Sequence, residues 1–132
     1  MNYNLVQTTY FLIFIVIATT FIIAIPHVKT SLADASDAYA TSQMKRIQAE
    51  MFFAEQKRGS FQHACYSGSI GVLVQDLISE YGKKVICRTN NTYSEMIVYV
   101  ELRAGDFFCV DSRGVSCNTA IEPRSGFSCK DF

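Results

Sequence analysis

The side chains best suited to chemistry in this sequence are five cysteines, all of them in the charged, polar part of the chain. They are Cys65, Cys87, Cys109, Cys117 and Cys129, and none belongs to a Cys-x-x-Cys pair. This many cysteines in a short polar region indicates an oxidising compartment and one or two disulfide bonds. The odd number leaves at least one thiol unpaired or bonded to another chain.

The turn expected at Arg113 and Gly114 helps to choose between the possible pairings. If these two residues form a two-residue hairpin turn, Cys117 faces Val110 instead of Cys109, which disfavours a Cys109–Cys117 bridge. We expect the bridges Cys65–Cys87 and Cys109–Cys129 with Cys117 odd, and the alternative is a Cys117–Cys129 bridge.

No catalytic or cofactor motif accompanies the cysteines. The two histidines, His27 and His63, lie far apart in the sequence, and His63 beside Cys65 offers only two ligands, too few for a metal site. The sequence has no Gly-rich phosphate loop, no G-x-S-x-G and no H-E-x-x-H. We therefore predict a protein that is not an enzyme and that holds no cofactor and no metal.

Charge divides the chain into two parts. No charged side chain precedes Lys29, so all 12 basic and all 12 acidic residues follow it. The net charge of zero argues against non-specific attraction to nucleic acid or anionic lipid. Nucleic acid stays a possible but unsupported partner, through basic residues that would suit an adhesive or DNA-contacting tip: Arg103, Arg113, Arg124 and Lys130.

The uncharged part contains a segment, residues 5–25, in which 13 of 21 side chains are Leu, Ile, Val or Phe. As a helix it is about 31 Å long, enough to cross the roughly 30 Å of bilayer hydrocarbon. The alternatives are a helix buried in a soluble protein and a secretory signal cleaved near Ala33 or Ala35. Because the chain is too small to enclose the segment and has no basic start, we expect a retained membrane anchor.

After a kink at Pro26, we expect the helix to continue to Arg58 and to end at Gly59. Its second part carries one apolar stripe at helical spacing, with a gap around Ser42 and Gln43. The stripe consists of Val28, Leu32, Ala35, Tyr39, Ile47, Met51 and Ala54. We expect it to pack on the downstream domain, with Phe52 and Phe53 beside it partly covered.

The rest of the chain predicts a short helix over residues 69–81 and strands at 85–87, 93–102 and 107–111. The fold class is therefore α+β: a long kinked N-terminal helix, its first part transmembrane, packed on a small antiparallel sheet of two or three strands with a short helix and stabilised by disulfides. The domains are residues 1–26 (transmembrane part), 27–58 (exposed amphipathic part of the same helix) and 59–132 (globular head).

Three stretches, in this order, resemble the type IV pilin family of bacteria. Residues 10–26 end in Ile-Ala-Ile-Pro, residues 43–53 precede Arg-Gly-Ser-Phe, and residues 107–114 read Phe-Phe-Cys-Val-Asp-Ser-Arg-Gly. The chain departs from the family at two positions. Pilins are cleaved after a Gly and carry a Glu at the fifth position of the mature chain. When the prolines are aligned at Pro26, this chain has Asn4 in place of the Gly and Thr9 in place of the Glu.

The resemblance implies a minor pilin or pseudopilin subunit, anchored in the inner membrane with an extracytoplasmic C-terminal domain or located on an extracellular pilus. Such a subunit packs into a pilus or secretion pseudopilus, and its partners are other pilin subunits, inner-membrane lipid and the assembly machinery. The residues expected to anchor and assemble it are Leu5, Thr9, Phe11, Leu12, Phe14, Ile15, Ile22 and Pro26. The alternative is a membrane-anchored or secreted adhesion domain that does not assemble in a filament.

Overall fold

The structure is a computed structural model of the chain, which describes the backbone of residues 3–131 and the side chains of residues 8–20 and 30–130. Its elements are α1 (Tyr3–Arg58), α2 (Gly68–Tyr81), β1 (Val85–Thr89), β2 (Met96–Glu101), β3 (Phe107–Asp111), β4 (Ser116–Thr119) and a C-terminal 3-10 turn (Cys129–Asp131). The chain divides into two units, residues 1–34 and residues 35–132.

The kinked transmembrane helix of the predicted fold class is wrong. The backbone of α1 stays helical through Pro26, so the one hydrogen bond that this proline removes does not end the helix. Among the residues that the structure describes, no helix is long and apolar enough to cross a membrane. A span takes about 20 consecutive apolar residues. The predicted inner-membrane anchor, and the localisation that rested on it, are therefore not supported.

The sheet of the second unit is antiparallel with the strand order β1-β2-β3-β4. The expected helix, which is α2, and the expected strands are present with small shifts of their ends, but a fourth strand, β4, was not predicted. Its sequence, Ser-Cys-Asn-Thr, lacks the β-branched and aromatic alternation that indicates a strand. Strand β4 therefore extends the sheet beyond the predicted strands, as far as Thr119.

Strand β2 is buried on both faces. Met96, Val98 and Val100 belong to the main core, which α1 and α2 also line. On the opposite face, Ile97 and Tyr99 form a second, smaller cluster with the disulfide-bonded Cys109 and Cys129. The C-terminal segment covers this second face.

Within the second unit, the face of α1 that enters the core consists of four fully buried side chains, Ala40, Met44, Ile47 and Met51. Met44 fills the gap that interrupted the predicted stripe, and the resulting spacing of four, three and four residues is helical. The beginning of the predicted stripe is not buried, since Leu32 is 65% exposed. Phe52 and Phe53, which were expected to be partly covered, are each 56% exposed.

A polar network ties α1, α2 and the loop after β2 together. The hydroxyl of Tyr81, at the end of α2, donates to the Asp37 carboxylate of α1. The backbone N–H of Arg103 donates to the same carboxylate at 2.9 Å and to the Tyr81 hydroxyl at 3.1 Å. Burial raises the pKa of Tyr81 above its usual value, and the hydrogen bond to Asp37 raises it further, so the hydroxyl stays protonated.

Removal of the Tyr81 hydroxyl by Tyr81→Phe should lower the free energy of unfolding by about 1–3 kcal/mol, because Asp37 loses a donor and Arg103 an acceptor. Urea unfolding of the full-length chain, followed by circular dichroism, measures the change. Tyr66→Phe removes the same atom from a side chain that is 82% exposed and should change the stability by less than about 0.5 kcal/mol. Equal effects of the two substitutions would contradict the stabilising role of the network.

Candidate functional site

The most unusual surface of the first unit is a run of exposed apolar side chains at residues 10–17 of α1, here called the apolar segment. These eight consecutive side chains range from 43% exposed at Ile15 to 71% exposed at Tyr10 and Phe14. Eight residues make more than two helical turns, so the apolar surface continues around the whole circumference of the helix. A helix that is apolar on every side is normally buried among other elements.

The threonines that follow the apolar segment do not add unsatisfied polar groups to its surface. The Thr19 hydroxyl donates to the carbonyl oxygens of Ile15 and Val16, both at 3.0 Å. The Thr20 hydroxyl donates to the carbonyl oxygens of Val16 and Ile17, at 2.9 and 2.8 Å. Because these hydroxyls are satisfied by the preceding turn of the same helix, burying them against a partner costs little.

Five of the predicted assembly residues are described by the structure, and all five lie on the exposed surface of α1: Thr9, Phe11, Leu12, Phe14 and Ile15. Leu5, Ile22 and Pro26 lie outside the residues whose side chains are described. The sequence identified this segment from its lack of charge and its density of large apolar residues.

The apolar segment can drive association by the hydrophobic effect. Fully burying one Phe, Leu, Ile or Val side chain is worth about 1.5–3 kcal/mol. Residues 11–17 are all of these types and roughly half exposed. Covering them on all sides would contribute on the order of 5–10 kcal/mol before the cost of association. Several neighbours are needed for such covering, because one partner helix contacts one face only.

A second exposed surface, in the other unit, is a groove of about 860 Å³ between α1 and the loop after β3. Phe52 and Phe53 line it with their rings edge to face, the centroids 6.1 Å apart. Its opposite side carries the ion pair between Arg113 and Glu95. The groove is therefore half apolar and half charged, unlike the apolar segment.

The late basic residues that suggested a DNA-contacting tip do not form one patch of unpaired cations. Arg103 donates to the Ser36 hydroxyl at 2.9 Å and its guanidinium lies 5.7 Å from the centre of the Tyr81 ring. Arg113 pairs with Glu95, and Arg124 lies 3.5 Å from Glu122. Glu122 also accepts from the Lys84 amino group, and this hydrogen bond lowers the pKa of Glu122 below its usual value.

The cysteines form the bridges Cys65–Cys87 and Cys109–Cys129, and Cys117 is a free thiol. These are the pairs preferred from the sequence, but one reason given for them is wrong. Five residues, 111–115, lie between Val110 and Ser116, the register pair nearest to the turn, whereas a two-residue turn requires an even number between paired residues. Cys117 therefore lies directly opposite Cys109 and not opposite Val110.

The sulfur atoms of Cys109, Cys117 and Cys129 lie within 4.8 Å of one another. Metal binding needs thiolates, and a structural zinc site needs four ligands. Two of these three sulfurs are bonded to each other, so the cluster offers one thiol and does not fit a metal centre. Its chemistry is that of a thiol beside a disulfide.

Comparison of the chain with protein-family models, with curated proteins and with solved structures gave no match. The candidate site therefore rests on the residues and geometry described above.

Proposed function

We propose that this chain is a minor pilin-like subunit, which packs into a pilus or secretion pseudopilus through the apolar segment of α1. The single observation that carries the proposal is the exposure of residues 10–17 around the whole circumference of a helix. Packed against the same segments of neighbouring subunits, these side chains would form the core of a filament.

Two further features support assembly over a solitary binding domain. No charged side chain precedes Lys29, so packed copies of the segment bring no like charges together. The second unit has its own core and two disulfides, so it can stay folded on the outside of a filament. The order of the three pilin-like stretches in the sequence agrees with this division of roles.

The test is the assembly state of the purified full-length chain after removal of the mild detergent used to isolate it. We expect ordered filaments by electron microscopy and large species by sedimentation velocity. In Phe14→Asp, a carboxylate would have to be buried among apolar side chains, which costs several kcal/mol. We therefore expect the concentration needed for assembly to rise at least tenfold, the equivalent of about 1.4 kcal/mol.

The matched control is Val72→Asp, which places the same charge on an exposed apolar position of α2, 60% exposed in this structure. It should assemble as the unsubstituted chain does. An unsubstituted chain that stays monomeric at all concentrations, or gives only amorphous aggregates, would overturn the proposal and favour the non-assembling adhesion domain. Equal assembly of Phe14→Asp and the unsubstituted chain would overturn it as well.

A further inference from the structure

The free thiol of Cys117 lies beside a disulfide bond to which it is not joined. Its sulfur is within 4.8 Å of both sulfurs of the Cys109–Cys129 bridge. The thiol donates to the carbonyl oxygen of Cys129 at 3.1 Å, and along the strands Cys117 is the register partner of Cys109. One cluster therefore contains a nucleophile, the Cys117 thiol, and a disulfide that it can attack. It also places Cys117 and Cys109 where a new bond between them can form.

We propose that Cys117 is the attacking group of an internal thiol–disulfide exchange, which moves the bridge from Cys109–Cys129 to Cys109–Cys117 and releases Cys129 as a free thiol. This goes beyond filament assembly and does not depend on it, because all three cysteines belong to residues 35–132.

The exchange is balanced without any outside oxidant or reductant. Cys117 gives its proton to solvent, and the thiolate attacks the sulfur of Cys109. The new Cys117–Cys109 bond forms as the Cys109–Cys129 bond breaks, and the bonding pair leaves on the Cys129 sulfur, which takes up a proton. One thiol and one disulfide are present before and after the step.

The structure favours Cys129 over Cys109 as the leaving group. Both bridged cysteines are buried in the same small apolar cluster with Ile97 and Tyr99, so their positions in the fold distinguish them rather than their burial. Cys129 lies outside the sheet at the start of the 3-10 turn, so its release breaks no strand pairing, whereas Cys109 belongs to β3, which pairs with both β2 and β4. Directly opposite residues of antiparallel strands have Cα atoms about 4.5–5.5 Å apart, within the range that a disulfide spans.

The polar contacts of the C-terminal turn make the exchange reversible. The Asp111 carboxylate accepts from the Ser128 hydroxyl at 3.1 Å and from the backbone N–H of Cys129 at 2.9 Å. Neither hydrogen bond involves sulfur, so both can hold Cys129 near the sheet after its bridge has gone. The C-terminal turn thus has two states, one bridged to β3 and one bearing a free thiol.

The rate of exchange should rise with pH. Burial raises the pKa of the Cys117 thiol, and the carboxylate of Asp111 on β3 raises it further. From the C-terminal turn, the group that contacts the thiol is the Cys129 carbonyl oxygen. The attacking thiolate is therefore scarce near neutral pH, and its fraction grows about tenfold with each pH unit below the pKa.

Trypsin places the three cysteines on separate peptides, which makes the exchange directly measurable. Cys109 falls in residues 104–113, Cys117 in residues 114–124 and Cys129 in residues 125–130. The full-length chain is incubated at pH 7, 8 or 9 and quenched with acid. Free thiols are then labelled with N-ethylmaleimide at pH 6 in denaturant, and the digest is read by mass spectrometry.

We expect the label to move with time from residues 114–124 to residues 125–130, faster at higher pH and at a rate independent of protein concentration. A bridged pair of peptides, 104–113 with 114–124, should appear at the same rate. In Cys117→Ser no label should appear and the original bridge should persist at every pH. Label that stays on residues 114–124 after hours at pH 9, or that moves to residues 104–113, would overturn the proposal.

Discussion

Asp111→Asn is expected to lower the free energy of unfolding by about 3 kcal/mol, although it changes a single atom of the side chain. Asp111 is fully buried, and its two oxygens accept four hydrogen bonds. One oxygen accepts from the backbone N–H groups of Arg113 and Val115, at 3.0 and 2.8 Å. The other accepts from the Ser128 hydroxyl and the Cys129 N–H.

The size of the effect follows from replacing an acceptor by a donor. In asparagine, the amide –NH₂ must face one of the two pairs of donors. It then loses either the N–H groups of Arg113 and Val115 or the Cys129 N–H, since only the Ser128 hydroxyl can turn to accept from it. The remaining oxygen is neutral, and its hydrogen bonds are weaker than those of a carboxylate. A hydrogen bond to a charged group is worth about 1.5–3 kcal/mol, so the loss of at least one such bond and the weakening of the others account for about 3 kcal/mol.

Urea unfolding of the full-length chain measures this change. Asp106→Asn makes the same substitution in the exposed turn between β2 and β3 and should stay within about 0.5 kcal/mol of the unsubstituted chain. Hydrogen exchange adds a local measurement: the amides of Val115 and Cys129 should lose protection in Asp111→Asn. Unchanged protection of both amides would show that the carboxylate does not hold the turn and the C-terminal segment together.

Sequence reasoning identified the elements whose pattern is set by local physics. The alternation of β2 and the amphipathic spacing of α2, with Gly82 in the left-handed conformation after it, predicted these elements correctly. The strand at β3 was predicted with its observed ends.

The remaining features depend on tertiary contacts that no local pattern shows. The sequence places Asp111 at the end of a strand, and only the fold brings Ser128 and Cys129 to its carboxylate. Strand β4 exists because it pairs with β3, although its own residues are polar. The length of the β3–β4 turn then decides which residue faces Cys109, and one extra residue reverses the face of every side chain.

The apolar segment illustrates the opposite situation. Its composition was evident from the sequence, but composition alone did not distinguish a membrane span from a packing surface. The exposure of residues 10–17 and the absence of a spanning helix among the described residues come from the structure. The sequence therefore predicted where the candidate site lies in the chain, but not how it acts.

Removal of the Cys65–Cys87 bridge in the double variant Cys65→Ala/Cys87→Ala is expected to lower the free energy of unfolding by about 3 kcal/mol. The bridge joins the loop between α1 and α2 to β1, across a sequence separation of 22 residues. Closing a loop of that size in the unfolded chain removes entropy worth about 3 kcal/mol. Cys65 is only 6% exposed and belongs to the main core, so its truncation also leaves a small cavity.

The control for this prediction is Cys117→Ala, which removes a sulfur that closes no loop. Because the chain entropy of the unfolded state is the same with and without that thiol, its loss should cost less than about 1 kcal/mol by urea unfolding. Dithiothreitol should destabilise the double variant less than the unsubstituted chain, since only the Cys109–Cys129 bridge remains to be reduced. Equal stability of the double variant and Cys117→Ala would mean that the small main core and its hydrogen bonds hold the loop without the bridge.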